Sequence, residues 1–277
     1  MVRSDLSQPS PWREAFLEHT AQMRPACFSL STLHRSPEGA TTPRARTCVF
    51  RGLWADLPDN EKNPAPRNPH AYESDLPVFT TDARMAKVED LLFSCEDGGG
   101  AAGSTGGGGA VEAVWWAEQA QTQWRVRGTV WVLGPDVEEA SGMRAREAIR
   151  PRMRSVPNPT GGDGAAGWSW ATEVTAHFGN LSPMMRGTFR NPPPGAPRAI
   201  PGKEGEGLGQ RVDDLDDRLA RKNFRVCVLI PKAVDRVDLS RPDDPRRWLY
   251  TFVGATGATS QTGGHVSGEW EVCEMWP

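Results

Sequence analysis

Apolar residues recur along this 277-residue chain in two rhythms, one helical and one of short β-type runs. After Ser10-Pro11, Trp12, Ala15, Phe16 and Met23 return at roughly helical spacing. A cap residue followed by proline predicts a capped helix start there. Met85, Val88, Leu91 and Leu92 share one face of a second predicted helix, with Asp82 placed to cap it. Short runs rich in Val, Trp, Phe and Cys predict strands over 26–33, 46–55, 77–81, 110–118, 121–134, 224–231, 247–253 and 269–276. The brief Gln119-Ala120 connection joins two of them as an antiparallel hairpin. Further helices are predicted from Met143 up to Pro151, from Ser182-Pro183 to before Pro192, and over 211–222. The last has Val212, Leu215 and Leu219 on one face, with its acids first and its bases last.

Between these elements lie stretches with no periodicity, near 56–74, 98–109, 157–167 and 191–209. The second is almost wholly Gly, Ala and Ser. It reads as a flexible insertion, because a phosphate loop of the Walker type needs a Gly-Lys-Ser/Thr end. The strand–helix alternation of a doubly wound sheet is missing, and no internal repeat is visible. The fold class is therefore mainly β with peripheral helices, an antiparallel barrel in one domain over 10–277.

Composition sharpens this picture. Counting the 29 Gly with the apolar residues brings that fraction to roughly half, so a sizeable core is available. Eleven Trp stand against two Tyr, which suits tryptophan-rich strands broken by Gly- and Pro-rich loops. The 35 acids outnumber the 32 bases, which argues against coating of nucleic acid. Arginines at 144, 146, 150, 152 and 154 are accordingly read as a solvated helix face. Trp115 and Trp116, adjacent in a strand, point to opposite faces, so they form no joint stacking platform.

Five scattered cysteines and five histidines show no metal-ligand spacing and no disulfide pattern. No run approaches the ~20 apolar residues of a membrane helix, and the start lacks a secretory apolar region. A cytoplasmic protein with no membrane partner is the expectation.

Two constellations carry candidate chemistry. Arg46-Thr-Cys-Val-Phe-Arg51 places two arginines five apart in a strand, hence on opposite faces. One would grip an anion while the other reaches a different part of the same large ligand; the plainer reading is two exposed edge arginines. Phe79-Thr-Thr-Asp-Ala-Arg-Met-Ala-Lys87 runs from strand into helix beside two hydroxyls. Such a junction suits an anion, or is simply a capped helix with solvated bases.

These segments, with Gln123-Trp-Arg-Val-Arg-Gly128, resemble the FMN-binding split-barrel proteins typified by pyridoxamine 5′-phosphate oxidase. Leu181-Ser-Pro-Met-Met-Arg-Gly-Thr-Phe, Pro192-Pro-Pro-Gly, Arg247-Trp-Leu-Tyr250 and the terminal Trp270 to Pro277 are similar to an oxidase-like subgroup. The resemblance implies a homodimer with FMN in each of two interface clefts. It assigns the flavin phosphate to Arg46 and Lys87, with Thr80 and Thr81 hydrogen-bonding nearby. Thr47, Cys48, Val49 and Phe50 would run beside the isoalloxazine, and Arg51 would stand near the ring. Gln123 would reach the flavin from the partner subunit, with Arg247 in the same site.

The departures bear on function. Met85 and Ala86 replace a serine and an arginine of the true oxidases, so Arg84 is expected to substitute from one turn back. Asp243 and Pro245 replace the Arg and His of a substrate-binding Arg-x-His. FMN binding is thus implied and oxidation of pyridoxamine phosphate is not. Two readings stand: an FMN-dependent oxidoreductase of a small substrate, or a flavin-binding carrier, sensor or interaction module without turnover. No catalytic base is assigned.

Overall fold

The computed structural model describes residues 8–93, 105–157, 167–254 and 263–277. Helix α1 (Arg13–Gln22) leads into β1 (Cys27–Arg35), β2 (Thr41–Leu53), β3 (Tyr72–Ser74), β4 (Pro77–Asp82) and α2 (Ala86–Phe93). The hairpin β5 (Gly106–Ala117) and β6 (Thr122–Leu133) follows, then α3 (Met143–Ile149), β7 (Met153–Ser155), α4 (Trp170–Gly179) and α5 (Pro183–Gly187). The chain ends with α6 (Arg218–Asn223), β8 (Phe224–Asp238), β9 (Arg246–Phe252), β10 (His265–Ser267) and β11 (Trp270–Met275).

The strands run in the order β8-β4-β2-β1-β5-β6, and β6 pairs back to β8, which closes a six-stranded antiparallel barrel. Strand β8 explains why the barrel is split. Its first half, up to Val228, pairs with β4, whereas Ala233 to Asp238 pair with β9 on that same side. The sheet thus diverges past β9 to β11 and β10. Mainly antiparallel β structure with peripheral helices is the fold class that the periodicity predicts.

Alternate residues of the same strands serve two cores. Phe79, Val130, Val132, Cys227 and Leu229 face the barrel interior with Trp12, Phe16, Phe28, Trp115 and Trp124. Their neighbours Val78, Leu133, Val226 and Val228 face outward, onto Ile149, Val174 and Phe178 of the helical layer. At about 25 cal/mol per Å², each fully buried tryptophan adds several kcal/mol before entropy is counted. Trp115 is buried and Trp116 is 44% exposed, as the strand alternation requires.

Several elements differ from the sequence expectation. The first helix starts at Arg13, and Ser10 does not cap it; its hydroxyl is 2.7 Å from the Asp75 carboxylate. Gly106 to Gly109 belong to β5, so the glycine-rich insertion stops short of them. Gly107 has φ of 113°, and a Cβ there would lie 2.7 Å from the Val130 carbonyl oxygen. Only glycine fits that close approach. The rest of that insertion, 98–104, lies outside the described residues, as does most of 157–167.

The helix predicted over 211–222 shrinks to Arg218–Asn223, because the aspartates before it bond locally. Asp214 accepts from the Asp216 amide at 2.9 Å, and Asp217 caps the helix through the Ala220 amide at 2.8 Å. Nor are the arginines near 150 a solvated face, since α3 ends at Ile149. Arg150 lies over Tyr72 and Arg152 over Phe252, and Arg154 makes a two-pronged ion pair with buried Asp75. Burial pushes Arg152 down to about 10.

Candidate functional site

Strand β2 presents Thr47, Val49 and Arg51 on one face and Arg46, Cys48 and Phe50 on the other, because side chains alternate. The first face, together with Cys48, forms a wall of a cavity of about 720 Å³, within the usual range for small-molecule sites. Strand β4 adds Thr80 and Thr81, and the start of α2 adds Lys87. The opposite wall comes from Met185, Thr188 and Phe189 and from the coil that follows, Asn191 to Leu208. The prolines of that coil, at 192, 193, 194, 197 and 201, make it a stiff roof.

The polar groups of the cavity are biased towards donors. Lys87 Nζ is 3.1 Å from Thr81 Oγ1 and 2.7 Å from the Met85 sulfur, and it has no carboxylate partner among the described residues. Burial lowers its pKa. Arg51 also lacks a carboxylate there; its Nη2 is 3.7 Å from the Met185 sulfur, and its buried Nε has no hydrogen-bond partner. Burial is likewise the cause that lowers the Arg51 pKa. Two half-buried cations without carboxylate partners among the described residues, threonine hydroxyls and a largely apolar wall suit a flat organic anion. The Cys48 thiol is pushed up by burial, against the pull of Lys87 and Arg46, so it is held as the neutral thiol.

The remaining residues of the sequence-derived set sit elsewhere. Arg46 points away from the cavity and pairs with Asp90 at 3.1 Å, while donating to Thr32 Oγ1 at 2.6 Å. Phe50 packs edge-on to Phe16 with ring centres 5.5 Å apart. Arg84 does not stand in for the missing cation. It chelates Asp82, reaches Glu206 Oε1 at 3.0 Å and donates to the Asn191 carbonyl at 2.9 Å. Gln123 lies on β6 opposite Trp116 and Val237. Arg247 shares Asp235 with Arg125, at 3.0 and 2.8 Å from its oxygens. Asp243 and Pro245 fall between β8 and β9, away from the cavity.

Residues 9–134 match the family described as pyridoxamine 5′-phosphate oxidase, FMN-binding domain. That stretch is similar to this family's FMN-binding domain. The matched residues include the whole β2 wall, β4 and Lys87, so the donors of that side of the cavity lie within the matched stretch. FMN is the cofactor of this domain family, and a phosphate monoester joined to a flat ring fits the donors and the apolar wall. Among solved structures, a pyridoxamine 5′-phosphate oxidase-related, FMN-binding protein from Nostoc punctiforme is 19% identical, with a TM-score of 0.54. The match covers 98% of this chain and 100% of that one, so the likeness in fold extends past the FMN-binding domain to the C-terminal strands. PhzG from Burkholderia lata, solved with tetrahydrophenazine-1-carboxylic acid, is 12% identical over 99% of this chain and 100% of its own, with a TM-score of 0.38. No curated protein matches the chain.

The roof segment is what the sequence reading missed. Its signal was present, since Pro192-Pro-Pro-Gly resembled the oxidase-like subgroup, yet its lack of periodicity led it to be treated as a spacer. Helix α4 was missed too, although Ser169 caps it and Trp170, Val174 and Phe178 recur every four residues.

Proposed function

We propose that this chain is an FMN-dependent oxidoreductase whose small substrate binds over the flavin in the cavity between β2 and the proline-rich roof. The observation that carries this reading is the pair of half-buried cations, Lys87 and Arg51, set at an apolar wall with no carboxylate partner among the described residues. Lys87, Thr80 and Thr81 would hold the phosphate; Thr47 and Val49 would flank the ring, with Arg51 beside it. Bound FMN supplies the redox chemistry, passing electrons between substrate and a second acceptor. The protein's part is to orient, to exclude water through the roof and to hold positive charge near the ring. A second copy of the chain would complete the cavity, bringing Gln123 and Arg247 to the flavin.

One observation favours a second reading, a flavin carrier or sensor without turnover. Among the described residues the cavity's carboxylates, Asp82 and Glu206, are both engaged by Arg84, and its thiol is held protonated. No base stands ready to take a proton. An enzyme that only passes a hydride equivalent needs none, so turnover separates the two. The FMN-loaded protein is reduced chemically under argon and then exposed to oxygen, quinones and ferricyanide. Reoxidation faster than that of free reduced FMN supports the oxidoreductase; a rate equal to the free flavin's leaves the carrier.

A further inference from the structure

Arg84 is the residue expected to supply the second phosphate cation, and its guanidinium is wholly spent. It is held by both oxygens of Asp82 and bonds across 122 residues of chain to Glu206. It also donates to the Asn191 carbonyl. Both ends of the proline-rich roof are therefore fastened to the strand–helix junction that carries Lys87.

The fastening extends along the roof. The second oxygen of Glu206 accepts the backbone amide of Lys203 at 2.9 Å. Arg190 donates to the Gly205 carbonyl at 3.2 Å and accepts at its own carbonyl from the Gly207 amide at 2.9 Å. Gln210 donates to the carbonyls of Gly205 and Gly207 at 3.1 and 3.0 Å. Residues 203–207 are thus a fixed turn with no regular secondary structure. Its one cationic side chain, Lys203, lines the cavity and has no carboxylate partner among the described residues.

We propose that Lys203 is a phosphate-binding residue, delivered to the Lys87 end of the cavity by the roof that Arg84 pins in place. The inference rests on the reading of this cavity as the FMN site. It explains how a junction carrying Met85 and Ala86 holds a dianion: the second charge comes from 116 residues further along the chain than Lys87. It also assigns Arg84 as a positioning residue, acting through Glu206.

The test is a comparison of FMN with riboflavin, which lacks the phosphate, by fluorescence titration of the wild-type protein and of Lys203→Ala, Lys203→Arg and Lys87→Ala. Lys203 is exposed, so its replacement leaves the fold intact. Lys203→Ala is expected to weaken FMN about tenfold and riboflavin not at all, with Lys203→Arg restoring FMN affinity. FMN affinity unchanged in Lys203→Ala, with Lys87→Ala impaired, overturns this inference alone. Equal losses for both flavins also overturn it, since the contact would then not be to phosphate. A wild-type chain that binds neither flavin overturns the FMN reading and this inference with it.

Discussion

The guanidinium of Arg46 lies 3.1 Å from the buried carboxylate of Asp90, on the face of β2 opposite the cavity. Thr32 and His34 donate to the same carboxylate at 2.8 and 2.9 Å, and Arg46 also caps the Leu30 carbonyl at 3.3 Å. The arginine that resemblance assigns to the phosphate therefore ties α2 to the barrel. Arg46→Ala strips a charge from a carboxylate that is 99% buried. A loss of about 2–4 kcal/mol in urea unfolding is expected, with the ratio of FMN to riboflavin affinity unchanged. A selective loss of FMN affinity would put Arg46 back in the site.

Lys87 gives the opposite pattern. Its replacement by alanine relieves a half-buried ammonium that lacks a carboxylate partner among the described residues, so stability is kept or rises slightly, while FMN affinity falls about a hundredfold and riboflavin affinity little. Burial lowers the Lys87 pKa below its ordinary 10.5, and a phosphate dianion would raise it again. FMN binding then takes up a proton over the window between those two values. Affinity should fall as pH rises through the lowered pKa, and Lys87→Arg should flatten that profile. Titrations between pH 7 and 10, with riboflavin as control, check the sign.

Much of the barrel was legible because β1, β5 and β6 alternate between buried and more exposed positions, and the strand–helix junction at Asp82 is local. The opposite-face rule separates Arg46 from Arg51, yet the resemblance places both at the flavin, and only Arg51 lines the cavity. What could not be read was long-range pairing: Arg84 with Glu206, and Arg154 with Asp75, depend on how distant segments meet. The proline-rich roof was opaque for the same reason. It is held by side chains and backbone turns rather than by a periodic pattern, so nothing in its own residues marks it as a wall of the site.

Arg154 and Asp75 form the second buried network, with Arg154 bonded at 2.6 and 2.8 Å and Ser10 donating to the same carboxylate. Asp75→Ala leaves the Arg154 charge with Glu73 as its one ion-pair partner among the described residues and removes the 2.9 Å pairing of Asp75 with Arg13 as well. A loss of about 3–5 kcal/mol is expected in chemical denaturation. Replacing both by apolar residues should recover most of it, which a double-mutant cycle reads directly.

His177 is fully enclosed, stacked on Trp54 with planes 3° apart and centres 5.9 Å apart. Desolvation, with Arg51 and Arg67 nearby, lowers its pKa to about 3. The folded protein holds it neutral, whereas the unfolded chain protonates it near 6.5. Its contribution is therefore complete above about pH 6.5 and is lost progressively as pH falls towards 3. His177→Phe should reduce the slope of stability against pH in that window and leave neutral-pH stability within about 1 kcal/mol. Unfolding curves at pH 4, 5 and 7 compare the two.

The central claim is that the cavity between β2 and the proline-rich roof holds FMN through Lys87. It is tested most directly by adding FMN to the purified protein, removing the excess by gel filtration and recording the visible absorbance spectrum alongside Lys87→Ala. The account predicts one FMN retained per chain, with the flavin bands shifted from those of the free cofactor, and none retained by the variant. A wild-type protein that emerges without flavin bands, or a variant that keeps them undiminished, would contradict it.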